Sequence, residues 1–275
     1  MRPPFGPRRV DKRNATFQHW QTLLTNRTKR TRSREVLIQG VRPITVAIES
    51  GVELTTVLLD GRPRLSRWAR EIVSSTTVPV VAVASELMAE LGDKDDGPPE
   101  LLVVARMPED DLDRLPDDPA AVVLVLDRPS SPGNIGTLVR SADALGAAGV
   151  ITTGHAADVW DPRAVRASTG SVFALPVVRT DSAADVLTWV GNRRDTGHDV
   201  TVVGTDETGD TLLSQVPLTG GLVLVVGSEA RGMSRSWVEA CDVVARIPMV
   251  GSASSLNAAA SGSIALYEVA RRRTH

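Results

Sequence analysis

The chain has 275 residues, enough for two domains of ordinary size, and its 42% hydrophobic and 23% charged content is typical of a globular protein. No apolar run approaches the roughly 18 residues that cross a bilayer, and the N-terminus lacks the apolar core of a signal peptide. A single cysteine, Cys241, excludes an internal disulfide and a zinc site built from several thiolates. These features predict a cytoplasmic protein without a membrane anchor.

The net charge of −2 conceals a basic N-terminal segment. Residues 1–35 hold ten Lys or Arg and two acidic residues, a net charge of +8, which leaves −10 on the rest of the chain. Cations gathered in one segment favour a polyanionic partner whose counterions they displace, although a solvated tail has the same composition. Aromatic residues make up only 3% of the chain, so stacking of bases on aromatic side chains is not expected to dominate.

The first half of the chain alternates predicted strands and helices. Residues 1–15 are expected to be a flexible basic arm, residues 16–24 suit a helix, and the basic stretch 26–34 follows. Strands are then expected at 36–40, 55–60, 78–84 and 101–107, and helices at 41–50, 66–74 and 86–91. This order predicts a small α/β domain over residues 16–107. The Pro- and Asp-rich residues 108–120 are predicted to form a linker.

The second half, residues 121–275, has a clearer pattern. Apolar runs predict strands at 122–126, 149–153, 177–179, 200–204, 223–226 and 243–247, and helices are expected at 135–145, 181–194 and 255–272. Several runs are apolar at consecutive positions, as in parallel strands that are buried on both faces. The sequence therefore predicts an α/β domain around a parallel sheet of about six strands.

The motifs of several common enzyme classes are incomplete or missing. Residues 227–234 have the spacing of a phosphate-binding P-loop, but Met233 stands where the loop requires a lysine, which argues against nucleoside triphosphate hydrolysis. No Gly-x-Gly-x-x-Gly follows the first strand of either domain, which disfavours a dinucleotide-dependent oxidoreductase. A Gly-x-Ser-x-Gly hydrolase motif is absent. The four histidines lack metal-ligand spacing, so no metal is expected.

Three segments of the second half each follow a predicted strand, at the edge of an open α/β sheet where ligands usually bind. In chain order they carry Asn134, Gly136 and Arg140; Gly227, Glu229 and Gly232; and Ile247, Pro248, Met249, Ser255, Leu256 and Asn257. A Pro- and Gly-rich turn precedes the first segment, and a helix of small residues follows the third. Each segment taken alone is also compatible with a simple turn and a surface side chain.

Together and in this order, the three motifs resemble those of the SpoU branch of the SPOUT RNA methyltransferases. The resemblance covers residues 121–272 and extends to the first half, which is similar to the L30e-type RNA-binding domain of that family. It implies a C-terminal parallel α/β domain with a deep trefoil knot, a homodimer, and S-adenosylmethionine as the cofactor. The implied reaction is methylation of a ribose 2′-hydroxyl in RNA, above all 23S ribosomal RNA, with antibiotic resistance as one role.

The same resemblance assigns roles to individual residues. The catalytic group comprises Arg140, Asn134, Asn257 and Glu229. The cofactor pocket is expected to contain Gly204, Thr205, Val226, Gly227, Glu229, Gly232, Ile247, Met249, Ser255, Leu256 and Asn257. RNA contacts are expected from Arg27, Lys29, Arg30, Arg32, Arg34 and Arg166. Whether Arg140 acts as a base or as an electrostatic anchor stays open, because a guanidinium with a pKa above about 12 is rarely neutral at pH 7.

Two alternatives remain open at this point. A transfer-RNA 2′-O-methyltransferase would share the catalytic motifs, although a separate L30e-like domain favours ribosomal RNA. A non-catalytic RNA-binding protein of the same fold would keep the architecture and lose the chemistry, but the intact Asn134, Arg140, Glu229 and Asn257 argue against that loss.

Overall fold

The computed structural model describes residues 8–61, 64–92, 97–252 and 255–273. Residues 1–7, the first part of the predicted arm, lie outside this description. Two compact units are distinguished: one comprises residues up to Pro108 together with 160–173, and the other comprises residues 109–159 and those from Ala174 onward. None of the described helices has both the length and the apolar character required to cross a bilayer.

The first unit is built on a five-stranded sheet with the order β1-β4-β3-β5-β2. Its strands are β1 (Arg8–Val10), β2 (Glu35–Gln39), β3 (Leu54–Asp60), β4 (Val80–Val83) and β5 (Leu101–Arg106). Its helices up to Pro108 are α1 (Ala15–Thr25), α2 (Arg27–Ser33), α3 (Val41–Glu49), α4 (Arg67–Ser75) and α5 (Ser85–Leu91). Phe17, Trp20 and Leu23 of α1 are buried in the core of the unit. The predicted α/β alternation of this half is confirmed.

The predicted flexible arm was wrong over its described residues. Arg8–Val10 form β1, which pairs in parallel with β4, and Asn14 caps α1 by accepting a hydrogen bond from the Phe17 N–H at 3.0 Å. The basic stretch that follows is itself helical, because Asn26 caps α2 in the same way. An edge strand of three residues is too short to show the alternation by which strands are recognised in a sequence.

The second unit is built on a seven-stranded sheet whose recorded pairings are all parallel. Its strands are β6 (Val122–Asp127), β7 (Gly149–Thr153), β8 (Val177–Thr180), β9 (Val200–Thr205), β10 (Thr211–Leu212), β11 (Gly221–Val226) and β12 (Val243–Arg246). The main helices are α6 (Pro132–Ala144), α9 (Ala183–Asp195), α10 (Arg235–Ala240) and α11 (Ala258–Arg273). The predicted parallel α/β domain is confirmed, with β10 as an additional short strand.

The order β10-β12-β9-β11-β6-β7-β8 determines where a ligand can bind. The chain runs outward from β6 to β8 and then returns on the other side, where β11 is inserted between β6 and β9. The border between β6 and β11 is therefore a topological switch point, the place in an open α/β sheet where ligands usually bind. Both strands are buried along their whole length, as expected for the centre of a parallel sheet.

The segment 160–173 differs from the predicted domain division, which placed all of residues 121–275 in one domain. It contains α7 (Pro162–Ala167) and most of α8 (Ser171–Ala174), and it belongs to the first compact unit. A Cβ atom on Gly170 would lie 3.0 Å from Cα of Pro43, so the two backbones approach closely. Neither helix was predicted from the sequence, although Asp161 and Pro162 form a recognisable cap and first-turn pair.

Candidate cofactor and catalytic site

A cavity of about 430 Å³ lies at the carboxyl end of the second sheet, beside β11 and the start of α11. Nine of the eleven residues that the sequence analysis assigned to the cofactor line it: Thr205, Val226, Gly227, Glu229, Gly232, Ile247, Met249, Ser255 and Leu256. The segments after β11 and β12 thus meet at one place, as the parallel arrangement of their strands requires. A cavity of this size is in the usual range for a cofactor.

Two residues assigned to the cofactor do not line the cavity. A Cβ atom on Gly204 would lie 2.6 Å from the Met233 methyl carbon and 2.7 Å from the Cys241 Sγ, so this glycine permits packing. Asn257 instead caps α11: its Oδ1 accepts a hydrogen bond from the Ala259 N–H at 2.8 Å. The structure thus gives each of these two residues a structural role, and their assignments to the cofactor and to catalysis stay predictions.

Glu229 joins the loop after β11 to the start of α6. Its carboxylate accepts hydrogen bonds from the Asn134 side-chain amide at 2.7 Å and from the Ser130 hydroxyl at 2.7 Å. The Ser130 N–H donates to the same carboxylate at 3.2 Å. Two predicted catalytic residues, Asn134 and Glu229, are thus brought into direct contact. Ser130 was not assigned a role from the sequence, because nothing in a short Ser-Ser-Pro run indicates a partner about a hundred residues away.

The environment of Glu229 lowers its pKa. Burial raises the pKa of this carboxyl, but the hydrogen bonds from Asn134, its own backbone and Ser130 outweigh that effect, and the pKa lies below the ordinary value of 4.5. The group is therefore ionised at neutral pH. Asp206 and Glu207 also line the cavity, whereas Arg231 is the one basic residue among the described lining residues. The cavity consequently favours a cationic ligand.

Arg140 lies on α6, two turns after Asn134, and its side chain is exposed. No hydrogen bond or ion pair joins its guanidinium to another residue in the described part of the chain. Next to it, the Ser141 and Ser263 hydroxyls are hydrogen-bonded at 2.7 Å, which ties α6 to α11. The structure therefore holds the helix in place and leaves the guanidinium available to a substrate.

The predicted RNA-binding residues all belong to the first unit. Arg27, Lys29 and Arg32 are exposed on α2, and Arg166 is exposed on α7. Arg30 is only 2% exposed, and its guanidinium donates to the Leu23 carbonyl at 2.7 Å. Its assignment to RNA contact is therefore corrected: a guanidinium buried against the end of α1 cannot reach a phosphate.

Arg34 also differs from a free surface cation. It ends α2 in the left-handed conformation, with φ of 55°, and its guanidinium donates to the Met107 carbonyl at 3.4 Å. The side chain is half-buried. The exposed basic surface of this unit is consequently narrower than the charge run in the sequence suggests.

Comparison with known proteins matches each half of the chain to a family model. Residues 14–103 match the model of the SpoU L30e-like domain, and residues 121–267 match that of the SpoU rRNA Methylase family. The 23S rRNA (uridine(2479)-2′-O)-methyltransferase of Streptomyces viridochromogenes is 50% identical, over 97% of this chain and 93% of its own length. An uncharacterized tRNA/rRNA methyltransferase of Mycobacterium avium is 30% identical, over 99% of this chain and 88% of its own.

Solved structures agree with these matches. The SpoU methyltransferase AviRb from Streptomyces viridochromogenes, in complex with S-adenosylmethionine, superposes with a TM-score of 0.92 at 50% identity, covering 95% of this chain and 99% of its own. An S-adenosylmethionine-bound rRNA methyltransferase from Sinorhizobium meliloti superposes with a TM-score of 0.84 at 27% identity, covering 98% of both chains. The chain described here belongs to the SpoU rRNA methylase family and is an S-adenosylmethionine-dependent methyltransferase of that family.

Proposed function

We propose that this protein methylates a ribose 2′-hydroxyl of 23S ribosomal RNA, the substrate class that the name of its 50% identical relative gives for that enzyme. The observation that carries the proposal is the meeting of the predicted motif segments: Glu229 of the loop after β11 binds Asn134 at the start of the helix that carries Arg140. This contact supports one connected site that includes the cofactor cavity and the guanidinium of Arg140.

The residues around the cavity fit S-adenosylmethionine. Val226, Ile247 and Leu256 supply apolar contacts for a flat adenine ring, and the glycine-containing loops expose backbone groups to its polar edges. Three carboxylates against one arginine suit a positively charged sulfonium. When bound, the cofactor supplies an electrophilic methyl group, and the remaining steps fall to the residues of this chain.

Orientation and charge stabilisation are the contributions that Arg140 and Asn134 make to this reaction. The ribose 2′-hydroxyl would have to be aligned with that methyl group and would lose its proton to solvent or to a nearby base. Negative charge builds on the 2′-oxygen if the proton departs early, and a permanently charged guanidinium stabilises it. We propose that Arg140 acts in this way or by holding the adjacent phosphate, with Asn134 kept in place by Glu229.

Replacing Arg140 with alanine tests this assignment. We expect methyl transfer to fall by at least about a hundredfold, because an electrostatic contact made in the transition state is lost. Cofactor affinity, measured by titration calorimetry, should stay close to that of the wild type, since Arg140 is not among the residues that line the cavity. Retained turnover in a tritiated-methyl assay would contradict the assignment.

A homodimer and a trefoil knot complete the proposed architecture. Ile264 and Tyr267 of α11 expose 41% and 57% of their surface, and Val250 is fully exposed in the loop before it. Apolar side chains grouped around one helix support a covered interface with a second copy. The last helix packs against α6, β9 and β11, which supports a C-terminus that passes back through the fold. Light scattering coupled to gel filtration tests the dimer.

Mapping 2′-O-methyl groups on ribosomal RNA, incubated with and without the protein, tests the substrate directly. A new methyl group in 23S RNA supports the proposal, and one found only in transfer RNA favours that alternative. We also propose a cytoplasmic enzyme, since its proposed substrate is ribosomal RNA, and a role in resistance like that of the avilamycin-resistance enzyme AviRb. Raised avilamycin tolerance in an expressing host would support this last role.

A further inference from the structure

The loop formed by residues 227–234, called here the cofactor loop, is anchored at its base by a residue that has no role in the motifs above. Asp127 is the last residue of β6, and its side chain is only 4% exposed. Its carboxylate accepts hydrogen bonds from the Ser234 N–H at 2.5 Å and from the Thr153 hydroxyl at 3.3 Å. The end of the loop is thereby tied to the ends of two central strands.

Arg128 supplies a second anchor. Its Nε donates to both carboxylate oxygens of Asp127 at 3.2 Å, and its terminal nitrogen donates to the Asp127 Oδ2 at 3.0 Å and to the Gly232 carbonyl at 3.2 Å. The backbone of Arg128 is left-handed, with φ of 52°, a conformation that few side chains other than Asn and Asp adopt readily. The arginine therefore bridges the carboxylate and the loop from a strained position.

Backbone hydrogen bonds join the two sides of the cofactor loop between its anchored base and its tip. Ser228 and Gly232 exchange two backbone hydrogen bonds of 3.0 and 2.9 Å. Glu229 at the tip is held by Ser130 and Asn134. Base and tip are thus both fastened to residues 127–134, the segment that leads into α6 and toward Arg140.

We propose that Asp127 and Arg128 form a clamp that holds the cofactor loop in its binding conformation before the cofactor arrives. The inference rests on the proposed function for the identity of the ligand. Arg128 is a positioning residue that acts through Gly232 and is not among the residues that line the cavity. A loop ordered in advance binds more tightly, because its conformational entropy has already been lost on folding.

Replacing Arg128 with asparagine tests the clamp, because asparagine tolerates the left-handed backbone and removes the guanidinium. We expect S-adenosylmethionine affinity, measured by calorimetry, to fall about tenfold. Arg128→Lys keeps the charge without the two-pronged contact and should lie between this variant and the wild type. Arg235→Gln, which removes an exposed arginine paired with Glu239, serves as the matched control and should bind like the wild type.

Amide hydrogen exchange in the cofactor-free protein gives a reading that does not depend on the ligand. The Gly232 and Ser234 amides should exchange about tenfold faster in Arg128→Asn, because their protected state depends on the clamp. Unchanged exchange would overturn the proposal, including the case where affinity falls, since Arg128 would then act on the ligand directly. If the wild-type protein bound no S-adenosylmethionine, the proposed function would fail, whereas the exchange comparison would still decide the clamp.

Discussion

Glu229 illustrates how much of this site depends on single side chains that are distant in sequence. The motif Gly-x-Glu marks it as functional, but three of its hydrogen bonds come from Ser130 and Asn134 on the other side of the switch point. Each donor stabilises the ionised carboxylate, so the group that fastens the cofactor loop also carries charge into the cavity. The same residue therefore contributes to stability and to the electrostatics of binding.

The variant Glu229→Gln should be less stable than the wild type at pH 7, with a melting temperature lower by about 1–3 °C. The pKa of Glu229 in the folded protein is lower than the ordinary 4.5, so its stabilisation is fully present above pH 4.5. The stabilisation is lost as the pH falls through the folded-state value. The difference between variant and wild type should thus shrink in thermal melts as the pH is lowered below 4.5.

Glu207→Gln provides the matched control for that experiment. Glu207 lines the same cavity, but no hydrogen bond to its carboxylate is found within the described residues. Its variant should melt within about 1 °C of the wild type at every pH. Equal destabilisation by the two variants would mean that the contacts of Glu229 with Ser130 and Asn134 contribute nothing to the stability of the folded protein.

At the scale of elements, the helix α11 determines the position of α6 and of the end of β11. Gly262 allows this approach: a Cβ atom there would lie 2.5 Å from a methyl carbon of Leu138 on α6 and 3.2 Å from one of Val226. Val226 lines the cavity, so the packing of α11 reaches the site itself. A glycine is therefore needed at position 262 for steric reasons.

Gly262→Val should destabilise the protein by about 1–3 kcal/mol through overpacking, although valine has the higher helix propensity. The expected fall in melting temperature is several degrees, measured by calorimetric scanning. Ala184→Val on the exposed face of α9 introduces the same side chain at a position outside the α11 face proposed for the dimer. A Gly262→Val protein as stable as the Ala184→Val protein would show that α11 and α6 separate without cost.

For the whole molecule, the exposed residues predicted to contact RNA and the cavity belong to different units. The exposed cations Arg27, Lys29, Arg32 and Arg166 belong to the first unit, and the cavity with Arg140 belongs to the second. Lys and Arg near phosphates gain affinity by counterion release, which carries no sequence information. The division suits an enzyme in which one unit holds RNA and the other performs the reaction.

Replacing Lys29 and Arg32 together with glutamine should raise the KM for RNA several-fold and leave the affinity for S-adenosylmethionine unchanged. The slope of log affinity against log salt should become shallower by about 1–2, since each lost phosphate contact removes roughly 0.7–0.9. Arg67→Gln is the control, because Arg67 is exposed in the same unit but already paired with Glu71 at 2.8 Å. An unchanged salt slope in the double variant would exclude α2 from the RNA-binding surface.

The sequence by itself determined the class of each half, the order of nearly all elements and the identity of the motif residues. Continuous apolar runs such as residues 122–126 predict central parallel strands, because only strands buried on both faces are apolar at every position. Parallel strands place the loops that follow them at one edge, so the meeting of residues 227–232 with the start of α6 was predictable in outline.

Only the tertiary structure decided which way individual side chains face and which residues they contact. Arg30 sits in the basic run but is buried against Leu23, Asn257 caps a helix, and Gly204 makes room for Met233. Asp127 and Arg128 fasten a loop about a hundred residues away. Such contacts depend on long-range packing, and the local pattern of a sequence carries only the period of an element and not its partner.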